Sequence, residues 1–450
     1  MPNQPFHGIF GKAWACIALS TLTAAFWSAP ANAVPAFADQ TGQPCSSCHV
    51  GGFGPQLTAF GRAFKLSGYT LRTVDSTIPV SAMAVVSFLH TSSDQSAPPA
   101  PHYGVNDNAT VDQVNLFVAG GINDNFGGFS QFTYDGVGRA FSWDNLDLRA
   151  TDAVTLDGTD VQIGLSINNN PTVQDSWNTL SAWGFPYTDS ALAPAPGAAT
   201  VLNGGLAQST LGVTAYAWWD SQIYTEGGFY VTPGQNFLSA MGALGGAVLK
   251  GTAPYARVAY QKDYGEQNFE LGAIAFLPSL YPGGDRTATD SDKYQDLGVD
   301  GSYQYAGDGT NIYQINLRYT HEQQKLDASF ALGAAAQPGN SLNEFQADAS
   351  YYWHNEIGGT VEYFNVTGSA DSQLYAANRT LNPDSAGLLF QIDGTPFGET
   401  ASDLGTRVNL RLGMQYRLFT RFNGAATNFD GAGSNASDND TLRLFAWVAL

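Results

Sequence analysis

Beyond Ile78 the chain alternates between apolar and polar positions. In TDVQIGLSIN, Val161, Ile163, Leu165 and Ile167 interleave with Gln162, Gly164, Ser166 and Asn168. In VNLFVAGGI, Val114, Leu116, Val118 and Ile122 fall on one side, and FELGAIAF and NIYQINLRYT behave in the same way. A period of two is that of a β-strand with one apolar and one polar face. Segments of roughly ten such residues, many with Tyr, Trp or Phe near their ends, form the pattern of a transmembrane β-barrel. Its strands turn apolar side chains to lipid and polar ones to the lumen. No long apolar run follows residue 33, which excludes a bundle of membrane-spanning helices.

The pattern predicts strands at 79–90, 111–122, 126–135, 143–151, 159–168, 209–219, 222–232 and 252–262. In the second half it predicts them at 267–277, 294–305, 312–322, 341–352, 357–367, 385–393, 405–419 and 441–450. The connections alternate between long (91–110, 169–208, 420–440) and short (Asn123 to Asn125, Asp220-Ser221, Asp263 to Glu266). Outer-membrane barrels do this because their periplasmic turns are tight and their outer loops long. A soluble β-sandwich also alternates but gives no reason for the rhythm. Three features fit less well. The connection 394–404 is long for a periplasmic turn, the strand before it is weakly patterned, and the closing TLRLFAWVAL ends on Leu450 where such barrels usually end on an aromatic. The expected fold is all-β: a transmembrane antiparallel β-barrel of about 16 strands over residues 78–450. A barrel of that size encloses an aqueous channel unless something fills it.

Ahead of the barrel, residues 1–33 read as a secretory leader that is removed. Lys12 is followed by an apolar run from Ala13 to Trp27 and by the small-x-small site Ala31-Asn32-Ala33. A membrane anchor is the competing reading, but Ser20, Thr21 and Thr23 interrupt the run, which is short for a span. Export leaves residues 34–77 as a small segment with too little apolar surface for a core of its own. The formal net charge is −20 and becomes one unit more negative without the leader. Such a balance argues against nucleic-acid binding and is compatible with attracting cations.

Of three cysteines, Cys16 would leave with the leader, so only Cys45 and Cys48 remain, followed by His49. An exported disulfide scaffold would show more paired cysteines. Cys45-Ser46-Ser47-Cys48-His49 is the C-x-x-C-H pattern of covalent c-type haem attachment. Two thiols at that spacing can each form a thioether to one porphyrin, and the adjacent imidazole can ligate the iron. A zinc site would call for about four ligands, and a thioredoxin-like pair for a βαβ setting; the sequence offers neither. One haem c is therefore expected, with Cys45, Cys48 and His49 as its cofactor-binding residues and His49 as its proximal iron ligand, in a small helical c-type cytochrome domain over residues 34–77 that plugs or lines the pore. Pro55 can open a helix carrying Leu57, Phe60 and Phe64 on one face, with Gly68 beyond its end. The second axial ligand is left open among His90, His102, His321, His354, Met83, Met241 and Met414.

Three stretches carry a wider likeness: VPAFADQTGQPCSSCH after the leader, NNNPTVQDSWNTLSAWGFPY in the longest loop, and RFNGAATNFDGAGSNASDNDTL near the end. In these the chain resembles the fused cytochrome–porins of the outer membrane of iron-oxidising bacteria. The resemblance implies one c-type haem in or near the pore of a barrel. It also implies extracellular ferrous iron as electron donor, a periplasmic c-type cytochrome as acceptor, and the activity of a ferrous-iron oxidase. Carried over by position, Cys45 and Cys48 hold the haem and His49 binds its iron; no ferrous-iron ligands are carried over. Trp177-Asn178 and Trp183-Gly184-Phe185-Pro186-Tyr187 are family-like, in a role of either folding the loop or gating the pore. Acidic loop residues Asp285, Asp290, Asp292, Asp430, Asp438 and Asp440 are candidates for concentrating ferrous ions or holding a structural cation; simple hydration is the plainer reading of each. Two further functions stay open: a channel whose haem segment is a redox-sensitive plug, and export of electrons to an outside acceptor.

Overall fold

The computed structural model describes residues 36–73, 80–398 and 408–450. The expected leader, the domain boundary near 77–78 and most of the connection 394–404 lie outside them. Sixteen antiparallel strands close into a barrel: β1 (Val80–Thr91), β2 (Asn108–Gly121), β3 (Phe126–Asp135), β4 (Ala140–Leu156), β5 (Thr159–Asn168), β6 (Leu211–Trp219), β7 (Ile223–Val231) and β8 (Ala253–Tyr264), then β9 (Gln267–Phe276), β10 (Asp292–Tyr305), β11 (Asn311–Lys325), β12 (Gly339–Trp353), β13 (Ile357–Gly368), β14 (Ser385–Gly394), β15 (Asn409–Arg421) and β16 (Thr441–Ala449). A two-residue strand, Ser279–Leu280, adds to the edge of β10. Each strand pairs with its neighbours in sequence, and β1 pairs with β16 from Met83↔Ala449 to Thr91↔Thr441, which closes the sheet.

Every predicted strand has its counterpart, and those at 126–135 and 159–168 match end to end. The largest difference is β4, expected at 143–151 and found at Ala140–Leu156. The reason is physical: apolar alternation marks only the part of a strand that crosses lipid, whereas ladder hydrogen bonding continues beyond it.

The alternation is inside-out relative to a soluble protein. On β9 and β10, Leu271 (68% exposed), Leu297 and Val299 face outward, while Glu270, Asp296 and Asp300 are buried facing the lumen. Ile163, Leu165 and Ile167 of β5 point out, and Ser166 and Asn168 point in. At the short-turn end, outward aromatic rings pair around the wall: Phe269 with Tyr303 at 4.8 Å, and Tyr313 with Tyr351 at 5.1 Å. An apolar band bordered by aromatic rings is the surface a barrel presents to a bilayer. No helix among the described residues is long and apolar enough to cross a membrane.

The lumen is filled from two sides. Residues 36–73 form three short helices, α1 (Ala36–Thr41), α2 (Cys45–Cys48) and α3 (Ala59–Leu66), that lie inside the short-turn end of the barrel. There Arg72 pairs with Asp124 of one turn at 2.8 Å, and the Gly51 N–H donates to Asn355 of another at 2.9 Å. The longest loop, 169–208, folds inward and is pinned to opposite walls. Asp175 pairs with Arg257 at 3.2 Å and Asp189 with Arg417 at 2.6 Å. The N–H groups of Val201 and Leu202 donate to Glu322 and Asp296 at 2.6 and 2.7 Å.

Candidate haem site

The C-x-x-C-H motif forms one helical turn. The His49 N–H donates to the Cys45 carbonyl at 2.8 Å, and a β-like bridge then pairs His49 with Leu57. The chain reverses between them through Gly51 (φ 70°) and Gly52 (φ 63°), a left-handed pair that only glycine adopts without strain. The barrel wall grips this reversal. The Asn409 amide donates to the Gly52 carbonyl at 2.8 Å, and Arg411 to the Gly51 carbonyl at 3.3 Å.

The helix that follows differs from expectation. Pro55 does not open it. Thr58 caps it, its hydroxyl oxygen accepting from the Gly61 N–H at 3.2 Å, and α3 begins at Ala59. A threonine oxygen satisfies an orphan N–H at a helix start, which a proline ring three residues upstream cannot do. Leu57 therefore precedes the helix, and Phe60 is 38% exposed, whereas Phe64 is buried. Leu57 and Phe64 still line the cavity beside the motif, and Phe60 does not. Gly68 lies past the helix end with φ 75°, as the sequence suggests. The helix rests directly on the motif, because a Cβ on Gly61 would stand 2.3 Å from the Cys48 carbonyl oxygen.

A cavity of about 370 Å³ opens beside Cys45, Cys48 and His49. Its walls are mostly apolar and aromatic, among them Phe53, Phe64, Phe129 and Trp447, with Gln113, Asn115 and Gln131 as a polar side. This is the composition of a cofactor pocket: apolar walls and a few placed polar groups. The residues fit a c-type haem in three respects. Both thiols and the imidazole of one motif face one cavity. The His49 ring has the Gln56 and Pro55 backbone beside it and no side-chain hydrogen bond among the described residues, which leaves a ring nitrogen for a metal. Burial, reinforced by the nearby Arg411 charge, pushes the His49 imidazolium down to about 4, so the ring is neutral near pH 7, the form that binds a metal. Burial also raises both thiols, Cys48 up to about 12 with Cys45 as a second cause. Cys45 and Cys48 are not joined in a disulfide.

The inward loop roofs the cavity and explains the motif-like stretches found in it. Asn178 accepts from the Leu57 N–H at 2.9 Å and donates to the Pro55 carbonyl at 3.2 Å, latching the loop to the segment that carries the motif. The Trp177 indole donates to Gln261 at 2.7 Å. Trp183, Gly184, Pro186 and Tyr187 line the cavity. Lys65 of α3 donates to the Val173 and Asp175 carbonyls at 2.7 and 2.6 Å. Sequence reasoning missed Asn178 as a latch and the four buried wall arginines, Arg149, Arg257, Arg411 and Arg443. Their inward, even-odd positions on strands were the available signal.

The six carboxylates expected in loops fold their own surroundings, and one of them, Asp292, is the first residue of β10 rather than a loop residue. Asp292 accepts from the Ala328 and Ser329 N–H groups, Asp430 from those of Ala432 and Ser434, Asp438 from that of Asn435 and Asp440 from that of Phe419. Asp285 and Asp290 accept from threonine hydroxyls beside them. No group of three or more His, Cys, Asp or Glu side chains suited to a metal ion occurs among the described residues.

No protein-family model matches the chain, and no curated protein is significantly similar to it in sequence. Among solved structures, OmpT of Vibrio cholerae aligns at 9% identity and TM-score 0.42, over 84% of this chain and 99% of its own. An anion-selective porin of Comamonas acidovorans aligns at 12% and 0.45, over 82% and 99%. The outer-membrane channel DcaP of Acinetobacter baumannii aligns at 11% and 0.40, over 85% and 100%. At these values the alignments add nothing to what the barrel shows by itself. Its closed antiparallel sheet, outward apolar band, aromatic border and alternating short turns and long loops are those of a bacterial outer-membrane β-barrel.

Proposed function

We propose that this barrel carries electrons through the outer membrane, from extracellular ferrous iron to a periplasmic c-type cytochrome, by way of one covalent haem c. In this reading it is a ferrous-iron oxidase of the fused cytochrome–porin kind. The observation that carries it is the meeting of Cys45, Cys48 and His49 at one aromatic-walled cavity inside a filled lumen. A bound haem c supplies one-electron chemistry. The chain's own residues anchor it through two thioethers, ligate it through the neutral His49 imidazole and exclude water with Phe53, Phe64 and Trp447. The hydrocarbon layer is about 30 Å thick, so an exchange site inside the lumen shortens the distance that electrons must cross. The cavity lies toward the short-turn side, beneath loop 169–208, which supports direct access for a periplasmic partner and access for an outside donor only across that loop. Oxidising iron outside the cell keeps poorly soluble ferric products out of the periplasm.

The barrel architecture itself favours a second reading, a channel gated by its haem segment. The helices α1–α3 and the inward loop speak against a standing pore. Stopped-flow mixing of the detergent-solubilised protein with ferrous iron, followed at the haem bands, tests the first reading, and planar-bilayer conductance tests the second. Reduction within seconds together with a closed barrel is expected. An intact, accessible haem that ferrous iron leaves oxidised, or a large persistent conductance, would overturn the proposal in favour of transport or of outward electron flow.

A further inference from the structure

This inference rests on the haem reading above and concerns the iron's second axial ligand. Seven histidine and methionine side chains qualify by chemistry, and the fold separates them. His90 and His321 point away from the lumen, bonded to Asp107 at 2.7 Å and Asn343 at 2.8 Å. His102 is exposed in an outer loop, and His354 sits in a short turn against the edge of Trp353. Met414 faces lipid, 42% exposed, and Met241 packs with Trp143 and Leu238. Met83 alone of the seven lines the cavity that His49 lines.

Met83 stands on the inward face of β1 and packs with Phe53 and Trp447. Its neighbours across the ladder, Asn115 and Ala449, line the same cavity. Three other side chains there that could bind iron are committed elsewhere. The Lys65 ammonium holds two loop carbonyls, the Tyr69 hydroxyl donates to Asp147 at 2.7 Å, and Asp144 accepts from Thr133 and Gln131. The Tyr187 hydroxyl lines the cavity without a hydrogen-bond partner and is the rival donor; as a phenolate it would give no sulfur-to-iron band, so the spectra below tell the two apart.

We propose that the Met83 thioether is the second axial ligand of the haem iron, with His49 the first. A soft thioether in an apolar wall favours the ferrous state and raises the potential above that of a two-histidine site. The full-length holoprotein in detergent tests this by magnetic circular dichroism, electron paramagnetic resonance and redox titration. The wild type is expected to be low-spin with a sulfur-to-ferric charge-transfer band. Met83→Leu, close in volume, should lose that band, become high-spin and bind carbon monoxide when ferrous. Met83→His should restore the low-spin state at a lower potential. Covalent haem without the sulfur band in the wild type, or a band that survives Met83→Leu, overturns this ligand assignment alone. Absence of covalent haem overturns it together with the functional reading. The wild-type spectrum decides even where a variant fails to assemble.

Discussion

Gly61 and Cys48 set the tolerance of the C-x-x-C-H segment at the scale of single residues. A methyl group on Gly61 would meet the Cys48 carbonyl oxygen at 2.3 Å, and that oxygen already accepts from the Thr58 N–H at 2.9 Å. Neither partner is a flexible side-chain end, so the helix or the motif must move. Overpacking of this kind costs about 1–3 kcal/mol. Gly61→Ala is expected to lower haem attachment while leaving the barrel inserted, read by haem-stained gels beside heat-modifiable mobility. Cys48→Ala should remove covalent haem altogether, and normal staining in that variant would refute the site. At this scale the sequence was partly legible. The spacing of Cys45, Cys48 and His49 singles them out as a candidate motif, and the structure shows the three lining one cavity. Asn178 does not, because its importance lies in two hydrogen bonds to residues more than a hundred positions away. Nor did the seven possible ligands sort themselves, since which way a strand residue points into a shared space depends on the register of its neighbours.

Among elements, loop 169–208 matters most. Its two acidic anchors are stabilised as carboxylates. Burial alone would raise Asp175, but Arg257 and the Trp177 and Leu180 N–H groups hold it below the ordinary range. Asp189 is likewise lowered, by Arg417 and Arg443 against burial. Carboxylates depressed on folding contribute stability that is fully present above their unfolded value, about 3.9, and is lost as pH falls through the folded values beneath it. The loop should therefore stay seated at pH 4 and above and release only in stronger acid. Bilayer recordings from pH 7 downward check this: conductance steps are expected only below pH 4, and openings already present at pH 6 would contradict the anchoring. The strands themselves were legible because lipid and lumen impose opposite preferences on adjacent residues. The inward course of this loop was not read, although Trp177, Leu180, Trp183 and Phe185 and the scarcity of charge beyond Asp175 and Asp189 were the available signal; apolar content alone does not say which wall a loop packs on. The start of α3 was misread because proline marks where a helix can begin, whereas the hydroxyl of Thr58 decides where it does.

For the whole molecule, the wall's two faces carry the assignment to the outer membrane, and substitutions on them should differ in kind. Leu271 faces outward from β9, so Leu271→Arg should destabilise the vesicle-inserted barrel by about 2–4 kcal/mol if it sits near the bilayer midplane. Urea unfolding from vesicles reads this directly, and a change below about 0.5 kcal/mol would argue that this face does not meet hydrocarbon. The closed sheet and its strand count were visible in the alternation. The filled lumen was foreshadowed only by a small segment placed ahead of the first strand.

Residues 36–73 precede β1 yet end up enclosed once β1 and β16 join along Met83–Thr91. In the haem reading, a porphyrin must be stitched to Cys45 and Cys48 by machinery that handles an accessible, unfolded pentapeptide. After closure those sulfurs are half-exposed at the short-turn end and face a cavity roofed by the loop. In that reading the porphyrin is stitched on most readily before the seam is zipped, and the barrel-assembly apparatus then folds its substrate around a finished coloured centre.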